Sequence, residues 1–219
     1  MWCIAKLTKE YRKRMYKILD LYMQPYCNKN PTICVDEKSK QLIKDTREPI
    51  SMKPGKPEKT DYEYKRNGTR NIFVAVEPLA GNHIISVTKK RTKKDFALFV
   101  KSLLNKTYKT AEKINIVCDN LNTHFEKSFY ETFPKTEADR ILRRINFYYT
   151  PKHASWLNMA EIEINMLEEE CIGRRIPTEK ELKSEIKAWE LRANVQKRKI
   201  NWSFTKRDAY KKLNKHYVA

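Results

Sequence analysis

Ile114-Asn115-Ile116-Val117-Cys118-Asp119-Asn120 is a mostly apolar, β-branched run that closes on an aspartate. A short run of this kind bounded by polar residues predicts a buried strand. Thr32-Ile33-Cys34-Val35, closing on Asp36, has the same form. Ligand and catalytic groups in open α/β sheets gather just beyond the carboxyl ends of strands. If these two strands are neighbours, Asp36 and Asp119 converge at one edge of the sheet. Two carboxylates in low-dielectric surroundings repel, and a hard divalent cation relieves that repulsion. The alternative for each is an acid that opens a turn or caps the next helix.

Outward from these strands, the periodicity predicts a helix over 8–23, ended by Pro25, and a Pro- and Lys-rich exposed loop over 44–60. Tyr62-Glu63-Tyr64 leads to Asn67-Gly68, which predicts a two-residue hairpin turn with Asn71–Val76 returning. A strand over 83–88 and a helix over 93–104 follow. Short helices over 126–144 come next, then the strand 145–149. Helices are expected over 155–174, over 178–192 with a capping box of Thr178 and Glu181, and from about Thr205. The order β-β-β-α-β-α-β-α predicts an α/β fold, a mixed sheet with helices packed on it.

The helix over 155–174 supplies a third acid. Leu157, Ala160, Ile164, Leu167 and Cys171 mark its core face, with Glu161 and Glu163 on opposite flanks. A second stripe, Met159, Ile162 and Met166, predicts cover on the other side as well. A glutamate in such a helix needs a partner or a metal. The helical wheel does not choose between Glu161 and Glu163.

Lys and Arg number 46 against 27 Asp and Glu, a net charge of +19. Charge of this size concerns partners rather than fold, and nucleic acid is the leading one. Only four glycines occur, none close to another, which disfavours phosphate-cradling loops. No stretch is long and apolar enough for a membrane helix. Charge at Lys6 comes too soon for a signal peptide. The five cysteines, Cys3, Cys27, Cys34, Cys118 and Cys171, have no paired spacing and read as reduced thiols of a cytosolic protein.

Asp119-Asn120-Leu121-Asn122-Thr123-His124, followed by the segment from Tyr149-Thr150-Pro151-Lys152-His153 through Leu157-Asn158-Met159-Ala160-Glu161, closely resembles the DDE transposases of the bacterial insertion-sequence family 630, within the mariner-like superfamily. Arg174-Arg175-Ile176-Pro177, Ala188-Trp189-Glu190 and Trp202-Ser203-Phe204-Thr205 extend the resemblance, as do Val35-Asp36-Glu37-Lys38 and Arg47-Glu48-Pro49 earlier. The resemblance implies an RNase H-like core, a mixed five-stranded sheet flanked by helices with a C-terminal helical extension. It puts the catalytic and metal-binding triad on Asp36, Asp119 and Glu161, the last because Leu157-Asn158-Met159-Ala160-Glu161 satisfies a Leu-Asn-x-x-Glu pattern. Two Mg²⁺ ions, with Mn²⁺ as substitute, would serve cleavage of DNA phosphodiesters at element ends and joining to target DNA at TA. The implied layout is an N-terminal helix and linker over 1–30, the catalytic core over 31–175, and a basic helical extension over 176–219. A helix-turn-helix region is expected to be absent here or separately encoded. Partners expected are transposon-end and target DNA, a second copy in a synaptic homodimer, and that helix-turn-helix protein; no membrane is involved. The expected location is the cytoplasm, at the nucleoid. Two rival readings are a truncated, non-catalytic DNA-binding or regulatory fragment, and another RNase H-like nuclease acting on RNA–DNA hybrids.

Smaller signals remain. The basic runs Lys89–Lys94, Arg174-Arg175 and Lys197–Lys199 are candidates for DNA backbone contact. His124 and His153 read as hydrogen-bonded structural histidines rather than a zinc pair with Asp119. Trp156, Trp189 and Trp202 read as packing residues. Glu37, beside Asp36, should face away from it, because side chains alternate along a strand.

Overall fold

The computed structural model describes residues 7–216, so Cys3 and the opening Met1-Trp2-Cys3-Ile4 lie outside the described residues. Five strands, β1 (Thr32–Asp45), β2 (Tyr64–Glu77), β3 (Asn82–Thr88), β4 (Ile114–Cys118) and β5 (Ile145–Tyr149), form one sheet in the order β3-β2-β1-β4-β5. β1, β2 and β3 are antiparallel neighbours, whereas β4 runs parallel to both β1 and β5. The sheet is therefore mixed, as expected.

Helices α1 (Lys9–Tyr22), α2 (Lys93–Ser102), α3 (Lys127–Tyr130), α4 (Lys135–Leu142), α5 (Ala160–Leu167), α6 (Glu179–Gln196) and α7 (Lys206–Leu213) cover both faces. On one face Ile33, Val35, Phe73, Ile114, Ile116 and Cys118 pack against residues of α2, α3 and α4. On the other, Cys34, Val76 and Val117 meet α1 and Met159, while Ile72 and Val74 meet α5 and α6. Burial on both sides explains why the central strands read as nearly continuous apolar runs rather than alternating ones.

Three expectations are corrected. β1 does not close at Asp36 but continues nine residues further, paired to β2 as far as Asp45 with Tyr64. Its second half is mostly polar around one buried residue, Leu42, so no apolar run marks it. Asn67-Gly68 is not a hairpin turn. Gln41 pairs with Thr69 and Ile43 with Arg66, so Asn67 and Gly68 together oppose Leu42 in a β-bulge within β2. Gly68 has φ +84°, and a positive-φ glycine serves a bulge as readily as a turn. The helix expected over 155–174 is broken: a 3-10 turn covers Ser155–Leu157, α5 begins at Ala160, and a π-helical turn spans Glu168–Ile172. Ile162 is exposed, so the second stripe is not covered along its length.

Capping residues are where the spacing places them. Thr205 and Asp208 form a complete capping box on α7. At α6 only half of the expected box forms: the Thr178 hydroxyl accepts from the Glu181 N–H, while the Glu181 carboxylate lies toward Arg174. Cys34, Cys118 and Cys171 are buried free thiols, and Cys27 is an exposed one. Among the described residues no helix is long and apolar enough to cross a membrane.

Candidate active site

The parallel pairing of β1 with β4 places the acids. Cys34 pairs with Val117, the last β1–β4 pair. Two residues on in each strand stand Asp36 and Asp119, so one register carries both carboxylates past the end of the pairing on the same face of the sheet. Asp36 keeps its β2 partner, Val74, on the other side. It thus sits mid-strand, yet at the mouth opened where β4 stops.

Asp36 is held at two points. Its Oδ1 accepts from the Glu37 N–H at 2.8 Å and its Oδ2 from Asn158 Nδ2 at 3.3 Å. The same Nδ2 also donates to Val35 O at 2.9 Å, and Asn158 Oδ1 accepts from the Ala160 N–H at 3.2 Å. One buried amide therefore ties β1 to the first turn of α5, the helix that carries Glu161. Burial pushes the Asp36 carboxyl up to about 7; the Glu37 N–H opposes this, and the charges of Glu37, Asp119 and Glu161 add to it. Glu161 thus acts on Asp36, as does Asp119, and the three acids share one electrostatic neighbourhood.

Glu163 does something else. It is buried, with Oε2 2.8 Å from His83 Nε2 and 3.5 Å from Arg198 Nη2. The two flanks of the wheel differ in their surroundings: Glu163 binds β3 and the segment after α6, whereas Glu161 is half-buried near Asp36. Nothing local in the sequence marks His83 as its partner, since 80 residues separate them.

Asp119 is anchored from the opposite face. Its Oδ1 accepts from the Leu121 N–H at 3.0 Å and lies 2.7 Å from Nδ1 of the buried His124, an ion-pair contact whose angle departs from an ideal hydrogen bond. His124 Nε2 is 2.9 Å from Glu37 Oε2, and Glu37 Oε1 accepts from Arg91 at 3.1 Å. Burial alone would lower the His124 pKa, but pairing with Asp119 and Glu37 raises it to about 9. Burial raises Asp119, and its pairing with His124 and the Leu121 N–H outweigh that, leaving it below the usual carboxylate value. Glu37 does point to the other face, as alternation requires, yet it reaches Asp119 through the imidazolium. That link depends on the 121–124 turn and was not readable from strand parity.

Three carboxylates are hard oxygen donors, and a divalent cation offsets both the burial that raises Asp36 and the smaller repulsion of its acidic neighbours, so the donor set fits Mg²⁺ or Mn²⁺. Among the described residues no three His, Cys, Asp or Glu side chains are already drawn into a coordination cluster.

The basic runs are spent inside the fold only in part, and among the described residues Lys89, Lys90, Lys94, Lys197 and Lys199 make no ion pair. Arg91 pairs with Glu37, Lys93 with Glu131, Arg174 with Glu185, Arg175 with Asp45, and Arg198 with Glu170 and Glu163. Trp189 is core, and Trp202 is half-buried. Trp156 departs from the packing expectation with 41% of its surface exposed, its ring stacked on Trp202 at 6.3 Å. His153 stands exposed in a turn with φ +63°.

A mixed sheet in this order, with acids at the mouth between parallel strands, defines a nuclease-type α/β core. Residues 31–183 match the family model described as DDE superfamily endonuclease, and the chain belongs to that family. Its fold is similar to the crystal structure of the mariner Mos1 paired end complex with Mg, with TM-score 0.55 at 14% identity over 100% of this chain and 66% of that one. It is likewise similar to the Mos1 Strand Transfer Complex, with TM-score 0.55, 11% identity, and 87% and 57% coverage. For the Mos1 mariner paired end complex with Mn the values are 0.52, 13%, 90% and 62%. At these identities the likeness is one of fold, and it bears out the RNase H-like architecture. The chain spans about three fifths of the length of those structures. No curated protein matches the chain.

Proposed function

We propose that this chain is the catalytic domain of a DDE transposase of the insertion-sequence 630 kind, cutting DNA phosphodiesters at element ends and joining the freed ends to target DNA, with TA the expected target. Asp36, Asp119 and Glu161 would hold two Mg²⁺ ions, with Mn²⁺ able to replace them. The observation that carries this reading is the β1–β4 register, which brings Asp36 and Asp119 side by side in a chain of the endonuclease family. When bound, such ions activate the attacking oxygen and stabilise the leaving oxygen of the phosphodiester. The protein's own contribution is positioning. Asn158 fixes Asp36 relative to α5, and His124 holds Asp119 ionised and oriented. The site of action is the nucleoid, the working form a synaptic dimer, and a helix-turn-helix region, in cis or supplied by a partner, selects the ends.

The test is nicking of supercoiled plasmid in Mn²⁺ by wild type, Asp119→Ala and Glu161→Ala. Nicking by wild type alone supports the reading. Equal nicking by all three refutes the assigned site, and inactivity of a wild type that still binds DNA favours the regulatory fragment.

A further inference from the structure

Cations without a carboxylate partner occur on α1 and after β5 as well as in the basic runs. Lys13 and Lys17 are one turn apart on α1, and Lys152 stands in the turn after β5; among the described residues none of the three makes an ion pair. They border two cavities between α1 and the β5 edge of the sheet. A cavity of about 210 Å³ is lined by Lys13, Lys17 and Tyr148, and one of about 560 Å³ by Tyr11, Lys152 and Asn120. Arg14 and Glu10 line both, so the two cavities adjoin. Glu10 is neutralised by Arg14 at 2.8 Å. The larger cavity reaches the residue next to Asp119: Asn120 lines it, and Arg14 donates to Asn120 Oδ1 at 2.7 Å.

Aromatic faces alternate with these cations. The Lys17 ammonium lies 4.7 Å from the Tyr148 ring centroid, Tyr11 lines the larger cavity, and the Trp156 ring is partly open to solvent. Ammonium groups spaced for phosphates, interleaved with rings on which bases can stack, are the chemistry of a single-stranded nucleic acid track. We infer that the groove between α1, β5 and the Pro151–His153 turn binds an unpaired DNA strand and leads its backbone to the acidic site, an inference that rests on the reading of that site as a DNA-cutting one.

The test is fluorescence anisotropy of the full chain in EDTA with a labelled 20-nucleotide oligothymidylate and with a duplex of equal length. The triple variant Lys13→Gln, Lys17→Gln, Lys152→Gln is compared with Lys106→Gln, Lys109→Gln, Lys113→Gln, which removes the same charge near the opposite end of β4 and also lacks ion pairs. Melting curves check that both fold. The groove variant should bind the single strand at least about 10-fold more weakly and flatten the slope of log K against log salt by about 2, three lost phosphate contacts at about 0.7 each. The control should change binding less than about 3-fold, and Trp156→Ala should weaken the single strand by about 5-fold or more. Equal loss in the two triple variants, or unchanged single-strand binding by the groove variant, overturns the inference. Because EDTA stops cleavage, wild-type nicking with unaffected groove-variant binding overturns the groove alone. Groove-dependent binding without any nicking overturns the cleavage reading alone.

Discussion

Replacing Asp36 by Asn should stabilise the metal-free protein, an outcome opposite to that of most substitutions at a partly buried hydrogen-bonded residue. The carboxyl titrates at about 7 in the fold against 3.8 for the free side chain, chiefly because burial disfavours its charge. A raised acid opposes folding once ionised, so its penalty is absent below pH 3.8, grows as pH rises, and is complete above about pH 7. At about 1.4 kcal/mol per pH unit the full penalty is about 4 kcal/mol. Partial exposure of the site and a donor now facing Asn158 halve this to about 2 kcal/mol. For a domain of this size that is a rise in Tm of about 4–8 °C. The assay is thermal melting in EDTA at pH 5 and pH 8, then at pH 8 with Mn²⁺. Asp36→Asn should melt higher than wild type at pH 8, by less at pH 5, and wild type should gain from Mn²⁺ where the variant does not. A variant that melts lower than wild type at pH 8 in EDTA would refute the electrostatic account of the site.

Glu163→Ala should cost about 3–5 kcal/mol in urea denaturation, because it strands buried His83, whereas Glu161→Ala should cost less than about 1 kcal/mol. His124 gains its proton affinity from the fold, so the stability it contributes is full below pH 6.5 and lost as pH rises through about 9. The stability gap between wild type and His124→Gln, followed by urea midpoints from pH 6 to 10, should therefore close over that window. Gly81 has φ +70°, and a Cβ there would fall 2.5 Å from the Lys197 carbonyl carbon. Gly81→Ala should lower stability by at least about 2 kcal/mol by calorimetry, by forcing the β2–β3 turn off the end of α6.

The parts of the fold visible in the sequence are those set by local pattern. β4 and β5 begin and end where their apolar runs do, and Thr8, Thr92, Thr178 and Thr205 cap the helices that follow them. What pairing over distance decides was hidden. The second half of β1 is a strand only because residues 64–70 lie beside it, and Gly68 satisfies a bulge by the same positive φ that suggested a turn. For the site, Asp36 and Asp119 stood out as acids after buried runs, but the helical wheel could not separate Glu161 from Glu163. The buried partner that separates them, His83, sits on another strand. The basic runs were misleading for a related reason: density of charge along the chain does not tell which cations the fold neutralises. Arg91 and Arg198 are paired within their runs, whereas Lys13, Lys17 and Lys152 keep their charge free of carboxylates.

The most direct test of the central claim, that Asp36, Asp119 and Glu161 together hold divalent metal, is uptake of Mn²⁺ followed by loss of its free-ion paramagnetic resonance signal. Wild type is compared with Asp36→Asn, Asp119→Asn, Glu161→Gln and, as a control on the same helix, Glu163→Gln. The account predicts that wild type and Glu163→Gln take up Mn²⁺ alike and that each of the other three loses most of that uptake. Retained uptake in Glu161→Gln with loss in Glu163→Gln, or equal uptake by all five proteins, would contradict it.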